Sequence, residues 1–195
     1  MASPEEPAIT IRRFKRVEYE RLTELGVFKP GERLELLDGL LVVREPQATP
    51  HATAVRLAVA ALRAAFGTGW LVDTQLPIAL DDVSEPEPDV SVVPGDVRAY
   101  RRAHPTHPVL LVEVADTSLD EDRTLKAALY ARATVADYWI VNLVDRVVEV
   151  YREPVPSNSA PYGWRYASVA ILRPADSITV LAAPHARIAV TSLLP

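Results

Sequence analysis

The sequence of 195 residues contains no cysteine, and this absence excludes several kinds of chemistry. Without a thiol the chain has no disulfide framework, no cysteine nucleophile and no cysteine-ligated zinc. No apolar run approaches the roughly 18 residues that a membrane-spanning helix needs. The first six residues, MASPEE, are acidic and do not resemble the apolar segment of a signal peptide. These absences predict a cytoplasmic protein that does not enter a membrane.

Lysine and glycine are also scarce. Only Lys15, Lys29 and Lys126 are lysines among the 21 basic residues, and the chain has 7 glycines. It contains neither a glycine-rich phosphate loop nor the Gly-x-Ser-x-Gly motif of a serine nucleophile. The net charge of −5 argues against a surface that coats nucleic acid, although it permits a local basic groove.

The length favours a single domain with a sizeable core. Residues 1–13 are rich in proline and charge and are predicted to form a flexible arm, and residues 14–195 the domain. The first helix is expected at residues 14–25, with Val17, Leu22 and Leu25 facing inward. Other patterns predict a hairpin around Asp38-Gly39, helices at 49–66 and 119–134, strands at 70–80 and 137–142, and short strands over 165–194.

Two short apolar runs each carry a carboxylate. Asp89 immediately precedes the run Val-Ser-Val-Val, and Glu113 interrupts the apolar residues 109–114. Continuous apolar runs of this kind are typical of strands buried on both faces. An ionised glutamate in such a strand is costly unless a cation pairs with it. Lys126 follows on a predicted helix, beside its apolar stripe. The three residues could together hold a divalent metal and activate a water.

The spacing of these residues leaves a simpler interpretation open. They could be a strand-start aspartate, a salt-bridged glutamate and a surface lysine. By position alone Glu35 is a solvent-facing strand residue, and His51 is a hydrogen-bonding residue at a helix start. A basic segment at residues 97–108, with Arg98, Arg101, Arg102, His104 and His107, is either a solvated connector or a flap that contacts phosphates.

Several segments together resemble a known family. They read ERLELLDGLLV, TPHATAVRLAVAAL, EPDVSVVP, VLLVEVADTSLDEDRTLKAALYA and VADYWIVN, in order over residues 14–152. This set is similar to the Uma-type putative restriction endonuclease family, within the PD-(D/E)XK nuclease superfamily. The resemblance implies an α/β (α+β) fold with a restriction-endonuclease-like mixed β-sheet flanked by helices, here with extra C-terminal strands.

The resemblance also implies roles for individual residues around a Mg²⁺ or Mn²⁺ ion. Asp89 and Glu113 would be metal ligands, joined by Glu35 and the backbone carbonyl of Val114, and Lys126 would be the catalytic lysine. His51 and Gln75 would contact the metal ligands without binding the metal themselves. The superfamily pattern usually has its lysine two residues after the glutamate, where this chain has Ala115. Lys126, on the following helix, would take that place.

The expected function is therefore metal-dependent endonucleolytic hydrolysis of DNA, by a homodimer that binds DNA weakly without a partner. Two alternatives stay open. The chain could be a non-catalytic nucleic-acid or protein interaction module that retains the nuclease fold, or a different metal-assisted hydrolase on the same scaffold. The acidic net charge and the lack of a DNA-reading motif favour the interaction module. The intact set of carboxylates and lysine favours the enzyme.

Overall fold

A computed structural model describes residues 10–44 and 46–195 of the chain. Most of the predicted N-terminal arm, residues 1–9, lies outside the described residues. Residues 10–13 have no regular secondary structure, and the first helix, α1, spans Arg16–Glu24. Within the described ranges, no helix has both the length and the apolar character that crossing a membrane requires.

A six-stranded mixed sheet forms the centre of the molecule, which confirms the predicted fold class. Its strands are β3 (Trp70–Asp73), β4 (Val90–Pro94), β5 (Leu110–Ala115), β6 (Asp137–Asn142), β7 (Val147–Pro156) and β8 (Trp164–Leu172). They lie in chain order, and β5 and β6 are parallel while every other neighbouring pair is antiparallel.

Helices cover both faces of this sheet. The long helix α2 (Thr49–Phe66) packs on one face, together with the small hairpin of β9 (Ser177–Val180) and β10 (Ala183–Ala189). Successive strand residues point to opposite faces. Val112 and Val114 of β5 accordingly join the α2 side of the core. Glu113, between them, is therefore directed to the opposite face, where the helical segment of residues 119–132 packs.

The hairpin predicted around Asp38-Gly39 is confirmed. Strands β1 (Leu34–Leu37) and β2 (Leu40–Val43) are joined by two residues with positive φ, 49° at Asp38 and 79° at Gly39. A second backbone pairing covers the other edge of β1, because the amide of Glu85 donates to the carbonyl of Leu36 at 2.7 Å. All four residues of β1 are buried as a result, including Glu35.

The helix predicted at residues 119–134 is interrupted by a π-helical turn. It consists of α3 (Leu119–Glu121), the π turn (Asp122–Lys126) and α4 (Ala127–Arg132). Such turns contain one extra residue and are frequent at functional sites. Both Asp122 and Lys126 are buried here, and Lys126 is only 1% exposed. The lysine thus lies inside the core rather than beside the apolar stripe.

Two predictions from local patterns are wrong. The strand expected over residues 70–80 ends at Asp73, and Gln75, expected in its middle, has a φ of 53° and lies in the following loop. In α1 the expected inward residues Val17 and Leu25 are 63% and 61% exposed, and Tyr19 is the buried residue of that helix. The Tyr19 hydroxyl donates to the carbonyl of Leu34, which fixes α1 against the hairpin.

Candidate active site

A cleft of about 410 Å³ opens where β4 begins and β5 ends. Because the two strands are antiparallel, the start of one and the end of the other lie at the same edge of the sheet. The cleft is lined by residues from five parts of the chain, including Arg44, Gln47, His51, Asp89, Glu113 and Lys126. The structure therefore places four of the residues singled out from sequence around one cleft: His51, Asp89, Glu113 and Lys126.

Glu113 is buried on β5, and its carboxylate accepts three hydrogen bonds, of which one runs from the Asp89 amide to Oε2 at 3.4 Å. Its Oε1 accepts a hydrogen bond from Lys126 Nζ at 2.8 Å and from the Tyr130 hydroxyl at 2.6 Å. Burial raises the pKa of the Glu113 carboxyl above its ordinary value, although the Lys126 ammonium opposes this. Burial by itself would lower the pKa of Lys126, but Glu113 and Glu35 raise it above its usual range, so that the amine stays charged.

Asp89, just before β4, accepts hydrogen bonds from several sides. Its Oδ2 lies 3.0 Å from His51 Nε2 and 2.8 Å from the amide nitrogen of Val114. Its Oδ1 accepts from Gln47 at 3.1 Å and from Gln75 at 3.4 Å. Burial alone would raise the pKa of Asp89, but the donors, led by His51, hold it below its ordinary value. His51 and Gln75 thus contact a predicted ligand directly.

The bond from Val114 to Asp89 also orients the backbone of β5. In a strand, the N–H and C=O of one residue point to the same side. Since the Val114 amide is directed to the Asp89 side chain, its carbonyl faces the same side of the strand. This orientation is compatible with the predicted ligand role of that carbonyl, which stays a prediction.

Glu35, on β1 of the hairpin, is completely buried and lies beside two residues of the cleft, Arg44 and Lys126. Its Oε1 accepts from the Glu87 amide at 2.9 Å and lies 3.1 Å from Arg44 Nη1. Its Oε2 has no hydrogen-bond partner among the described residues, and the Lys126 ammonium lies 3.7 Å away. The interpretation of Glu35 as solvent-facing is wrong, because the side chain is buried beside Arg44 and Lys126; its role as a site residue, which the family resemblance implies, stays a prediction.

Four further residues contact the site but were not predicted from the sequence: Arg44, Gln47, Asp122 and Tyr130. Asp122 accepts from the Ser118 hydroxyl at 2.6 Å and lies 3.9 Å from Lys126 Nζ. Burial raises its pKa, with Lys126 opposing. Asp122 and Tyr130 are four residues before and after Lys126, and this helical spacing was a usable signal. Arg44 and Gln47 carried no comparable signal.

Arg44 bridges two of the carboxylates. One guanidinium nitrogen lies 3.1 Å from Glu35 and the other 3.5 Å from Asp89. Burial would lower the pKa of Arg44, but the surrounding carboxylates, Glu113 first among them, raise it beyond its usual range. The guanidinium therefore acts as a fixed positive charge between two candidate ligands.

Among the described residues, the buried carboxylates in and next to the cleft outnumber the cations. Asp89 and Glu113 line the cleft, and Glu35 and Asp122 lie 3.7 and 3.9 Å from the Lys126 ammonium; the cations are Arg44 and Lys126. Hard divalent cations prefer such carboxylate oxygens. With the unpartnered Glu35 oxygen, this surplus fits one divalent ion. Within residues 10–44 and 46–195, however, no three His, Asp or Glu residues are arranged as a ready ligand set.

The basic segment at residues 97–108 lies away from this cleft. Its helical turn, Val97–Tyr100, follows the C-terminal end of β4, whereas Asp89 precedes the N-terminal end. The five residues of β4 separate these ends by about 16 Å. None of Arg98, Arg101 and Arg102 is among the residues that line the cleft.

Comparisons with known proteins identify a matching family and a shared fold. The model of the Uma2 family, described as "Putative restriction endonuclease", matches residues 16–191. A crystal structure of a putative nuclease belonging to DUF820, from Anabaena variabilis ATCC 29413, superposes with a TM-score of 0.64 at 13% identity. The alignment covers 87% of this chain and 94% of that one, and at this identity it shows a shared fold. No curated protein matched the chain.

Proposed function

This chain belongs to the Uma2 family, and on that basis we propose that it is a Mg²⁺- or Mn²⁺-dependent endonuclease that hydrolyses phosphodiester bonds in DNA. The observation that carries the proposal is that, among the described residues, the buried carboxylates in and next to one open cleft outnumber the cations beside them. Burying unbalanced carboxylates costs folding free energy. A bound divalent cation would balance the charge of these carboxylates and so account for their burial.

The ligands would be the carboxylates of Asp89, Glu113 and Glu35 and the carbonyl of Val114. A bound Mg²⁺ or Mn²⁺ would polarise the phosphate and lower the pKa of the attacking water. Neighbouring side chains limit the orientation of two of these carboxylates. His51 and Gln75 fix the Asp89 carboxylate, and Tyr130 fixes one oxygen of Glu113.

Lys126 would act as a donor rather than as a base. Its ammonium lies between two candidate ligands, 2.8 Å from Glu113 and 3.7 Å from Glu35. The raised pKa of Lys126 keeps it protonated, so that it cannot accept a proton from water. It can instead donate to the attacking water or stabilise charge that develops on a phosphate oxygen.

The interaction module is the second candidate, and one observation favours it. Asp89 is already satisfied by donors of the protein itself, and Glu113 already forms an ion pair with Lys126. A cleft of this kind can persist without a metal. The homodimer belongs to the first proposal, because two clefts would be needed to cut both strands of a duplex.

Cleavage of supercoiled plasmid by the wild-type protein distinguishes the two candidates. We expect nicking in Mn²⁺ or Mg²⁺ and none in EDTA. Glu113→Gln keeps the shape of the side chain but removes its charge, and should abolish the nicking. Glu24→Gln, at the exposed end of α1, is the matched control and should cut as the wild type does. Wild-type protein that stays folded, binds DNA and fails to cut in either metal would favour the interaction module.

A further inference from the structure

A second groove, of about 510 Å³, lies beside the cleft along α2. Its two charged side chains are Arg56 and Arg63, both exposed, and none of the described residues that line it is acidic. This is unusual in a chain of net charge −5. The lining residues are Gln47, Ala52, Val55, Arg56, Val59, Ala60, Arg63, Thr74 and Gln75.

The groove adjoins the cleft. Gln47 lines both, and its amide nitrogen donates to Asp89 at 3.1 Å. Gln75, which also lines the groove, donates to Asp89 as well, at 3.4 Å. A ligand that lies along the groove therefore ends next to the candidate metal ligands.

The two arginines share one face of α2 with Ala52 and Val59, at helical spacings of three and four residues. With a rise of 1.5 Å per residue, Arg56 lies about 8 Å and Arg63 about 18 Å along the helix from His51. His51 itself contacts Asp89. Along the axis of a DNA duplex the phosphates of one strand recur about every 3.4 Å, so that the two arginines are far enough apart to contact different phosphates.

The side chain of Arg63 is held in place by a hydrogen bond to the backbone. Its Nη2 donates to the carbonyl of Val72 at 3.2 Å, which limits the freedom of the side chain while the guanidinium stays exposed. An arginine that is already ordered loses less entropy when it binds a phosphate. Thr74 and the two glutamines add uncharged polar groups to the same wall.

We propose that this groove, the Arg56 groove, binds the sugar–phosphate backbone of one strand of the nucleic acid and delivers it to the cleft. The proposal rests on the proposed function, because it assumes that the phosphate to be cut lies beside Asp89 and Glu113. It replaces the basic segment at residues 97–108 as the site of phosphate contact near the cleft. That segment has more arginines but lies at the other end of β4.

The test is binding of a fluorescein-labelled 12-nucleotide DNA strand in EDTA, followed by anisotropy over a range of KCl concentrations. The proteins are the wild type, the pair Arg56→Gln with Arg63→Gln, and the control pair Arg98→Gln with Arg102→Gln. Each phosphate contact contributes about 0.7 to the logarithmic salt slope for a single strand. We expect the first pair to weaken binding and reduce the slope by about 1.4, and the control pair to leave both unchanged.

Three results would overturn the groove: an unchanged slope in the first pair, an equal loss in the control pair, or full competition by polyglutamate at equal charge. The outcome is separable from that of the proposed function, since EDTA prevents cleavage. A groove-dependent slope without cleavage in Mn²⁺ would retain the groove and reject the nuclease. Cleavage at the wild-type rate by the Arg56→Gln, Arg63→Gln double variant, with an unchanged salt slope, would reject the groove and retain the nuclease.

Discussion

Replacing Lys126 by methionine tests the electrostatic account of the cleft. The substitution keeps an unbranched chain of similar length in a fully buried place but removes the ammonium that lies 2.8 Å from Glu113. Breaking a buried ion pair by removing one partner costs about 3–5 kcal/mol, because the remaining charge stays buried. Glu113 keeps its bond from Tyr130, so that we expect a loss near the lower limit, about 3 kcal/mol at pH 8.

The pH dependence of this loss follows from the raised pKa of Glu113. A carboxyl whose pKa is raised on folding contributes stability below its unfolded pKa and loses that contribution as the pH rises through the folded pKa. Without the ammonium this pKa rises further. Protonation of Glu113 then removes the unpaired charge at mildly acidic pH. The difference in the free energy of unfolding between Lys126→Met and the wild type should therefore be smaller at pH 5.5 than at pH 8.

Thermal melts followed by circular dichroism at both pH values measure the effect. For a domain of this size, about 3 kcal/mol corresponds to a melting temperature lowered by about 6–12 °C. A loss below about 1 kcal/mol at pH 8 would be that of a surface salt bridge and would refute the reasoning. A large loss that is the same at both pH values would show that packing, not charge, is responsible.

Two further substitutions give predictions of distinct sign. Lys126→Arg should lose plasmid cleavage almost as completely as Lys126→Met. A planar guanidinium cannot occupy the place of a compact ammonium between Glu113 and Glu35. Cleavage at the wild-type rate would contradict the role of Lys126 as a donor. Arg44→Met removes a cation that lies 3.1 Å from Glu35 and 3.5 Å from Asp89, so that Mn²⁺ should bind about tenfold more tightly by calorimetric titration. Weaker Mn²⁺ binding would instead mean that Arg44 holds the ligands in place.

The parts of the site that were predictable from sequence are those with a local signal. Glu113 stands out because it interrupts an apolar strand, and such a carboxylate needs a cation. Asp38-Gly39 determines its hairpin through the positive φ that both residues adopt. Both signals depend on neighbours within a few residues, and the structure confirms the burial of Glu113 and the turn.

The errors arise where distant contacts or irregular backbone decide the outcome. Glu35 is buried because residue 85 pairs with β1 from a loop almost fifty residues away. Lys126 is buried at the end of a π-helical turn. A prediction that assumes the regular helical period of 3.6 residues does not include such a turn. Gln75 reaches Asp89 only because the backbone leaves the strand at a positive φ.

Arg44 shows a different limit. It follows a short strand whose residues are partly exposed, and nothing in its neighbourhood distinguishes it from the other arginines of the chain. Its role becomes visible only when Glu35 and Asp89, from two separate segments, are placed on either side of it. Pairings of this kind depend on the assembled fold.

The most direct measurement of the central claim is anomalous diffraction from crystals soaked in Mn²⁺. We predict an anomalous peak in the cleft, within ligand distance of the carboxylates of Asp89 and Glu113 (about 2.1 Å for Mg²⁺). The same soak of Asp89→Asn crystals should lack the peak. Wild-type crystals without a peak in the cleft, with Lys126 still bonded to Glu113 at high Mn²⁺ concentration, would contradict the account.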